Sequence, residues 1–233
     1  MTGRSAIVTG AGTGIGRAIA RALLSEGWGV TFADRSLETL VEAASADDGT
    51  GPPRPHPGPH AGHRTEHPHA LVVTADVTDP TGVDALFEAH VARFGRLDLL
   101  VNVADRIDPE ADAGELSPVD WQAAVAVDLT PAVLCAGAAF RQMAVQAPAG
   151  GRIVNAAVSA PSPRLRSVVR TMTTHAIAGL SASIELDGRP HAITCTQVDL
   201  GAVGIASLAD ALVHVANLPL GASVPRLAVG AAQ

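Results

Sequence analysis

Short apolar runs alternate with stretches of helical periodicity along the whole chain. The runs Ala6–Thr9, Val30–Ala33, Leu71–Thr74, Leu97–Val101, Arg152–Asn155, Ala192–Val198 and Arg226–Val229 read as strands. Between them the helical period holds near Ile15–Ser25, Leu37–Ala44, Gly82–Phe94, Pro118–Val145, Val168–Leu186 and Ser207–Val215, which predicts helices. Strands parted by helices of this length imply right-handed crossovers and a parallel sheet covered on both faces. The expected fold is α/β: a doubly wound parallel sheet of about seven strands, in one domain spanning residues 1–233.

One segment breaks this rhythm. Residues 47–70, DDGTGPPRPHPGPHAGHRTEHPHA, are dense in Pro and Gly and carry His56, His60, His63, His67 and His69. Lying between a helix and the third strand, the segment reads as a surface insertion and not a linker between domains. The histidine spacing is irregular, and the prolines forbid a helix that would align the rings. A solvated loop is therefore expected there, and no metal site.

Composition narrows the function classes. With 47% hydrophobic and 17% charged residues the chain is globular, and a net charge of -7 without a basic run argues against a nucleic-acid surface. No stretch of about 18 uninterrupted apolar residues suggests a membrane span. The start, MTGRSAIVTG, lacks a signal-peptide core, so a cytoplasmic location is expected. Cys135 and Cys195 sit in apolar runs and read as buried small hydrophobes. Two absences matter more. There is no tyrosine, and all 16 basic residues are arginine, so there is no lysine. A GC-rich coding bias explains a lysine-free surface, but it would not remove a residue that chemistry required.

The stretch TGAGTGIG, Thr9–Gly16, follows the first strand and opens the first helix. Gly10 permits a tight turn, Gly14 lets a pyrophosphate approach the backbone, and Gly16 allows close helix–strand packing. Phosphates would then lie at a helix N-terminus, where free N–H groups and the helix dipole favour anions. Asp34 ends the second strand about 20 residues further on, where a carboxylate accepts hydrogen bonds from the adenosine ribose diol. The plainer reading is that it starts a turn. A carboxylate would repel a 2′-phosphate, so NAD is the expected cofactor and NADP the weaker one; Arg35 next door softens that preference.

With ADR (33–35), ADV (75–77), LDLLVN (97–102), WQAAVAVDLT (121–130), GGRIVN (150–155), THAIAGLSASIEL (174–186) and QVDLG (197–201), the chain resembles the short-chain dehydrogenase/reductase family almost end to end. The resemblance implies a Rossmann-type domain. It adds Asp76 and Val77 at the adenine and Asn102 along the nucleotide to Thr9, Gly10, Gly14, Ile15, Gly16 and Asp34. It also implies an Asn-Ser-Tyr-Lys catalytic tetrad, and here the pattern fails. The four positions hold Asp128, Ala157 (or Val158, with Ser159 adjacent), Arg170 and Thr174, and the usual turn after the fourth strand has become NVAD, with Asp105 in place of glycine.

In the resembling family the tyrosine exchanges a proton with the substrate, and the lysine lowers its pKa and holds the nicotinamide ribose. Arg170 keeps its proton at any physiological pH, and a threonine hydroxyl carries no charge. General acid–base help is worth about 10² to 10⁴ in rate, so its loss together with oxyanion stabilisation is close to fatal. The substrate lid that normally follows QVDLG shrinks to Ala202–Ala206. His175 remains as a general base or as a packed helix residue. Asp128 and Arg170 remain as a structural pair or as a grip for a carboxylate or phosphate. Two functions stay open: a nucleotide-binding, non-catalytic subunit, or an enzyme of altered redox or non-redox biosynthetic chemistry. Apolar residues exceed one core stripe on the helices Pro118–Val145 (Ala123, Ala124, Val127, Val133, Ala136, Ala138, Ala139) and Val168–Leu186 (Ile177, Leu180, Ile184, Leu186). They predict a homo-oligomer, or a hetero-oligomer with an active relative.

Overall fold

The computed structural model describes residues 3–45, 63–64, 67–103, 109–157, 165–200 and 204–229. Their strands are β1 (Ser5–Thr9), β2 (Gly29–Asp34), β3 (His63–Arg64), β4 (Ala70–Thr74), β5 (Leu99–Val103), β6 (Gly151–Ala157), β7 (Ile193–Leu200) and β8 (Arg226–Val229). The helices are α1 (Gly14–Ser25), α2 (Leu37–Ala44), α3 (Pro80–Phe94), α4 (Pro118–Ala124), α5 (Thr130–Val145), α6 (Val168–Gly188) and α7 (Ile205–Asn217). The sheet runs β3-β4-β2-β1-β5-β6-β7-β8. Seven strands are parallel and β3 is a short antiparallel edge. The doubly wound expectation holds.

Local chemistry accounts for the element ends. Ser36, Asp79 and Ser117 cap α2, α3 and α4 by accepting backbone N–H bonds from Thr39, Gly82 and Asp120. Pro80 and Pro118 occupy first-turn positions where no N–H is needed. Gly95, with φ 81°, closes α3 in the left-handed conformation. One apolar layer packs α1, α2 and α7 on the sheet through Ile19, Leu23, Leu40, Leu208 and Leu212. The other packs α3, α5 and α6 through Leu86, Phe87, Cys135, Met143 and Ile184.

Four expectations need correction. First, β5 starts at Leu99 and not Leu97. The Gln146 side chain accepts from the Leu97 N–H at 2.9 Å and donates to its carbonyl at 2.8 Å, standing in for a neighbouring strand. Second, the helix expected over 118–145 contains a π-helical turn, Val125–Leu129. Pro131 has no N–H to give Val127, and the ladder slips so that the Thr130 N–H and hydroxyl both reach the Val125 carbonyl. Third, α7 begins at Ile205 behind Gly204, so the last two residues of the expected 202–206 connection are helix; Ala202 and Val203 lie outside the described residues. Fourth, the insertion ends sooner, since His67–His69 form the turn into β4 and Ala70 is its first residue; His56 and His60 lie outside the described residues.

The run 118–145 is long and apolar enough for a membrane span by length and composition alone, its most apolar 18-residue stretch having a mean hydropathy of 1.8. Its Ala124, Ala132, Cys135, Ala136, Ala138, Ala139 and Met143 are buried in the fold. Most of the apolar residues expected at an oligomer interface are therefore internal. The apolar surface that does remain comprises Val119, Val133 and Val145 on α4 and α5, and Met172 and Leu186 on α6.

Candidate functional site: an intact nucleotide loop beside an altered catalytic end

In an open parallel sheet, ligands bind beyond the carboxyl ends of the strands where the strand order reverses, which here falls between β1 and β5. The glycine loop stands at that point. Gly10 has φ 63°, and a Cβ on it would lie 2.7 Å from the Val103 carbonyl oxygen. A Cβ on Gly16 would come within 2.1 Å of the Gly10 carbonyl oxygen. Both positions therefore admit only glycine without backbone movement. Gly14 has φ 52°, and a Cβ there would meet nothing within 4 Å, so the space before α1 is open. Thr13 caps α1 without a side-chain hydrogen bond, and no acidic residue occupies the first turn. The free N–H groups and the positive end of the helix dipole thus face that space, a fit for phosphate. Ile15 packs against the core and anchors the turn.

Asp34, at the end of β2, accepts the Gly12 N–H on Oδ2 at 3.1 Å and the Arg35 N–H on Oδ1 at 2.7 Å. It does begin a turn, and it also reaches the loop, with acceptor capacity left for a ribose diol. Asp76 is exposed just past β4. The Thr78 hydroxyl, then the Thr78 amide, and more weakly Arg35, hold its carboxyl below the usual range. Val77 beside it is half-buried against the core. Asp34, Asp76 and Val77 thus lie at or just past the carboxyl ends of the neighbouring strands β2 and β4.

Between β5, β6, α5 and α6 lies a cavity of about 30 Å³, lined by Thr9, Asn102, Val103, Asp128, Pro131, Ala132, Asn155, Ala156, Thr173 and Ile177. Among the described residues that is room for a water or two. Beneath it runs a buried polar chain: Asn102 donates to Asn155 Oδ1 at 2.9 Å, Asn155 donates to Ser181 Oγ at 2.9 Å, and Ser181 donates to the Ile177 carbonyl. Thr9 is drawn into the same floor, where its hydroxyl accepts the Val103 N–H at 3.1 Å. Asn102 and Thr9 are thus structural members of the strand ends as well as neighbours of the nucleotide loop. The π-helical turn puts Asp128 against this cavity, 6% exposed.

The other tetrad positions fare differently. Ala157 ends β6 opposite Asp199. Arg170 and Thr174 are half-buried on α6, and neither lines the cavity; Thr173, which sequence reading missed, does. His175 is exposed, with Nδ1 2.7 Å from the Thr171 carbonyl oxygen, so the best remaining base points to solvent. Asp105, Val158, Ser159 and Gly201 lie outside the described residues. Cys135 and Cys195 are free thiols pushed up to about 12 by burial, so neither is a nucleophile. Among the described residues no cluster of three or more His, Cys, Asp or Glu could hold a metal. Gly12 was also missed, because the spacing of the loop assigns roles only to Gly10, Gly14 and Gly16. A Cβ there would lie 2.5 Å from Thr39 Oγ1 and 2.8 Å from Asp34 Oδ2.

Comparison with known proteins places this geometry. A dehydrogenase of cis-4-hydroxycyclohexanecarboxylate from Sinomonas cyclohexanicum is 40% identical over 152 residues, covering 65% of this chain and 53% of that enzyme. The aligned part thus spans about half of that relative. A short chain dehydrogenase/reductase from Colletotrichum higginsianum is 30% identical over 205 residues, 86% of this chain and 69% of that protein. Two solved structures share the fold with a TM-score of 0.81. One is a metagenomic short-chain oxidoreductase in complex with NADP, 24% identical over 100% of this chain and 98% of that one. The other is the Brucella melitensis 3-ketoacyl-(acyl-carrier-protein) reductase complexed with NADH, 20% identical over 98% of this chain and 96% of that one. The family model for short chain dehydrogenases covers residues 4–52 and 59–214, and this chain belongs to that family.

Proposed function

We propose that this chain is a nicotinamide-dinucleotide-binding member of its family that has given up the family's carbonyl chemistry and serves as a structural or regulatory subunit. The observation that carries the reading is the absence of tyrosine and lysine from all 233 residues, which no shift of alignment can repair. The residues that remain fit the dinucleotide well. The amides opening α1 would hold its phosphates, Asp34 the adenosine ribose, and Asp76 and Val77 the adenine. NAD is favoured over NADP because the Asp34 carboxylate faces the place of a 2′-phosphate. A bound nicotinamide supplies hydride transfer. Beside it this chain offers Asp128, Ala157, Arg170 and Thr174, none of which repeats the tyrosine–lysine proton exchange.

The partner belongs to the same proposal. Val119, Val133, Val145, Met172 and Leu186 expose apolar surface on adjoining helices, which supports a second copy or an active relative packed there. A cytoplasmic setting is supported by two buried free thiols. The second reading, an enzyme of non-standard chemistry, is favoured by one observation: Asp128 is a buried carboxylate in a π-helical turn, a feature common at functional sites.

Purified protein with NADH or NADPH and a panel of ketones and aldehydes tests the two readings. No turnover is expected, and joint restoration of Ala157→Ser, Arg170→Tyr and Thr174→Lys should add little while the 202–206 connection stays short. Robust turnover that disappears with Asp128→Ala would establish the second reading and sink the first.

A further inference from the structure

The loop's apex, Gly12, is gripped from both ends by opposite charges. Its N–H donates to Asp34 Oδ2 at 3.1 Å. Its carbonyl oxygen accepts two bonds from one guanidinium, Arg17 Nε at 2.9 Å and Nη2 at 2.6 Å. Arg17 belongs to the first turns of α1, and helical side chains lean towards the helix N-terminus, so it folds back over the residues that precede its own helix. Its third nitrogen, Nη1, donates to Glu42 Oε1 on α2 at 2.9 Å. Glu42 is 68% exposed, so that ion pair by itself is worth little. The double grip on a part-buried carbonyl is the stronger contact.

The peptide plane turns this grip into aim. Across a trans peptide the carbonyl of one residue and the N–H of the next point in opposite directions. With the Gly12 carbonyl held on the guanidinium, the Thr13 N–H is turned to the other side of the loop. Thr13 makes no side-chain cap there, and Gly14 leaves the space open.

We propose that Arg17 is a positioning residue for the dinucleotide's diphosphate: it touches no ligand, but fixes the Gly12–Thr13 peptide so that the amides before α1 converge on the phosphates. This rests on the dinucleotide-binding reading above. A merely structural Arg17, tethering α1 to α2, would affect every ligand alike. A positioning Arg17 affects ligands that carry the diphosphate.

The test titrates ADP-ribose and adenosine into wild type, Arg17→Met, Arg17→Lys and Glu42→Gln, with thermal melts alongside. Arg17→Met is expected to weaken ADP-ribose about tenfold or more, as for loss of a charge-assisted bond, while adenosine changes less than about twofold. Arg17→Lys keeps the charge without the fork and should fall between, at about threefold. Glu42→Gln should stay within about twofold for both. Wild-type affinity for ADP-ribose in folded Arg17→Met, or equal losses for both ligands, overturns the proposal. Should Arg17→Met fail to fold, Arg17→Lys decides by the same ratio. Wild type binding neither ligand sinks the nucleotide-binding reading and this one with it; wild type binding both, with the variants unchanged, sinks the role of Arg17 alone.

Discussion

The β1–α1–β2 region and the β5–β6–α6 region meet at the same switch point, yet they have kept different things. In the first, each constrained position holds the residue its backbone requires: Gly10 and Gly14 at positive φ, Gly16 beneath the Gly10 carbonyl, Gly12 between Asp34 and Arg17. In the second, the scaffold persists, with Asn102, Asn155 and Ser181 still bonded in series, while the positions for proton transfer hold Arg170 and Thr174. On the proposed reading, packing and nucleotide recognition are separable from reactivity. Backbone geometry enforces the former residue by residue, and nothing in the fold enforces the latter.

The largest effect is expected from Gly16→Ala. Its Cβ would lie 2.1 Å from the Gly10 carbonyl oxygen. Helix and strand must part, at about 1–3 kcal/mol of overpacking, and ADP-ribose affinity should fall at least about a hundredfold. Denaturant unfolding and calorimetric titration check both numbers; a variant as stable and as tightly binding as wild type would remove the claim that this half is constrained.

A comparable effect on stability, from neither region, comes from His90. It is buried at the base of the sheet, with Nδ1 2.8 Å from Thr31 Oγ1 and Nε2 2.9 Å from the Arg96 carbonyl oxygen. Burial lowers its pKa to about 4 from 6.5. The folded state therefore resists a proton that the unfolded state accepts. The stability is whole above about pH 6.5 and is lost as pH falls towards 4, by up to about 3 kcal/mol. Urea midpoints between pH 7 and 4 should drop along that curve, and His90→Gln should flatten it while lowering the plateau. Because both sites rest on this base, nucleotide binding should decline only when global unfolding begins.

Cofactor choice sharpens the first region further. Asp34→Asn keeps an oxygen for the Gly12 N–H and removes the charge, so the ratio of NAD to NADP affinity should fall about tenfold. An unchanged ratio would locate discrimination elsewhere. The smallest effect is expected in the second region, where Asp128→Asn restores the family's side chain. ADP-ribose affinity should move by less than about twofold, with no carbonyl reduction gained.

How much of this was readable beforehand differs between the regions for the same physical reasons. α2 and β8 lie where the pattern put them, because Ser36 caps the first and an apolar run bounded by turn residues sets the second. The shift of β5 was hidden because the partner of Leu97 is a side chain 49 residues away. The π-helical turn was signalled by Pro131, yet a helical period continues through it. Gly10, Gly14, Gly16 and Asp34 were legible because a turn and a carboxylate at fixed spacing leave a local signature. Gly12 and Arg17 left none, since an arginine on a helix reads as surface until its guanidinium is found on a carbonyl behind it. The same holds for Thr173, whose place beside Asp128 depends on how α6 packs across α5.

The proposed function requires an adenosine and diphosphate half that is whole and a nicotinamide half that is not. Side-by-side calorimetric titration of NAD and ADP-ribose into the unmodified protein separates the two halves. Thr174 offers the nicotinamide ribose no charged contact, so the two ligands should bind with affinities equal to within about threefold. NAD binding more than about tenfold tighter than ADP-ribose, or no heat from either ligand, would contradict the proposed function.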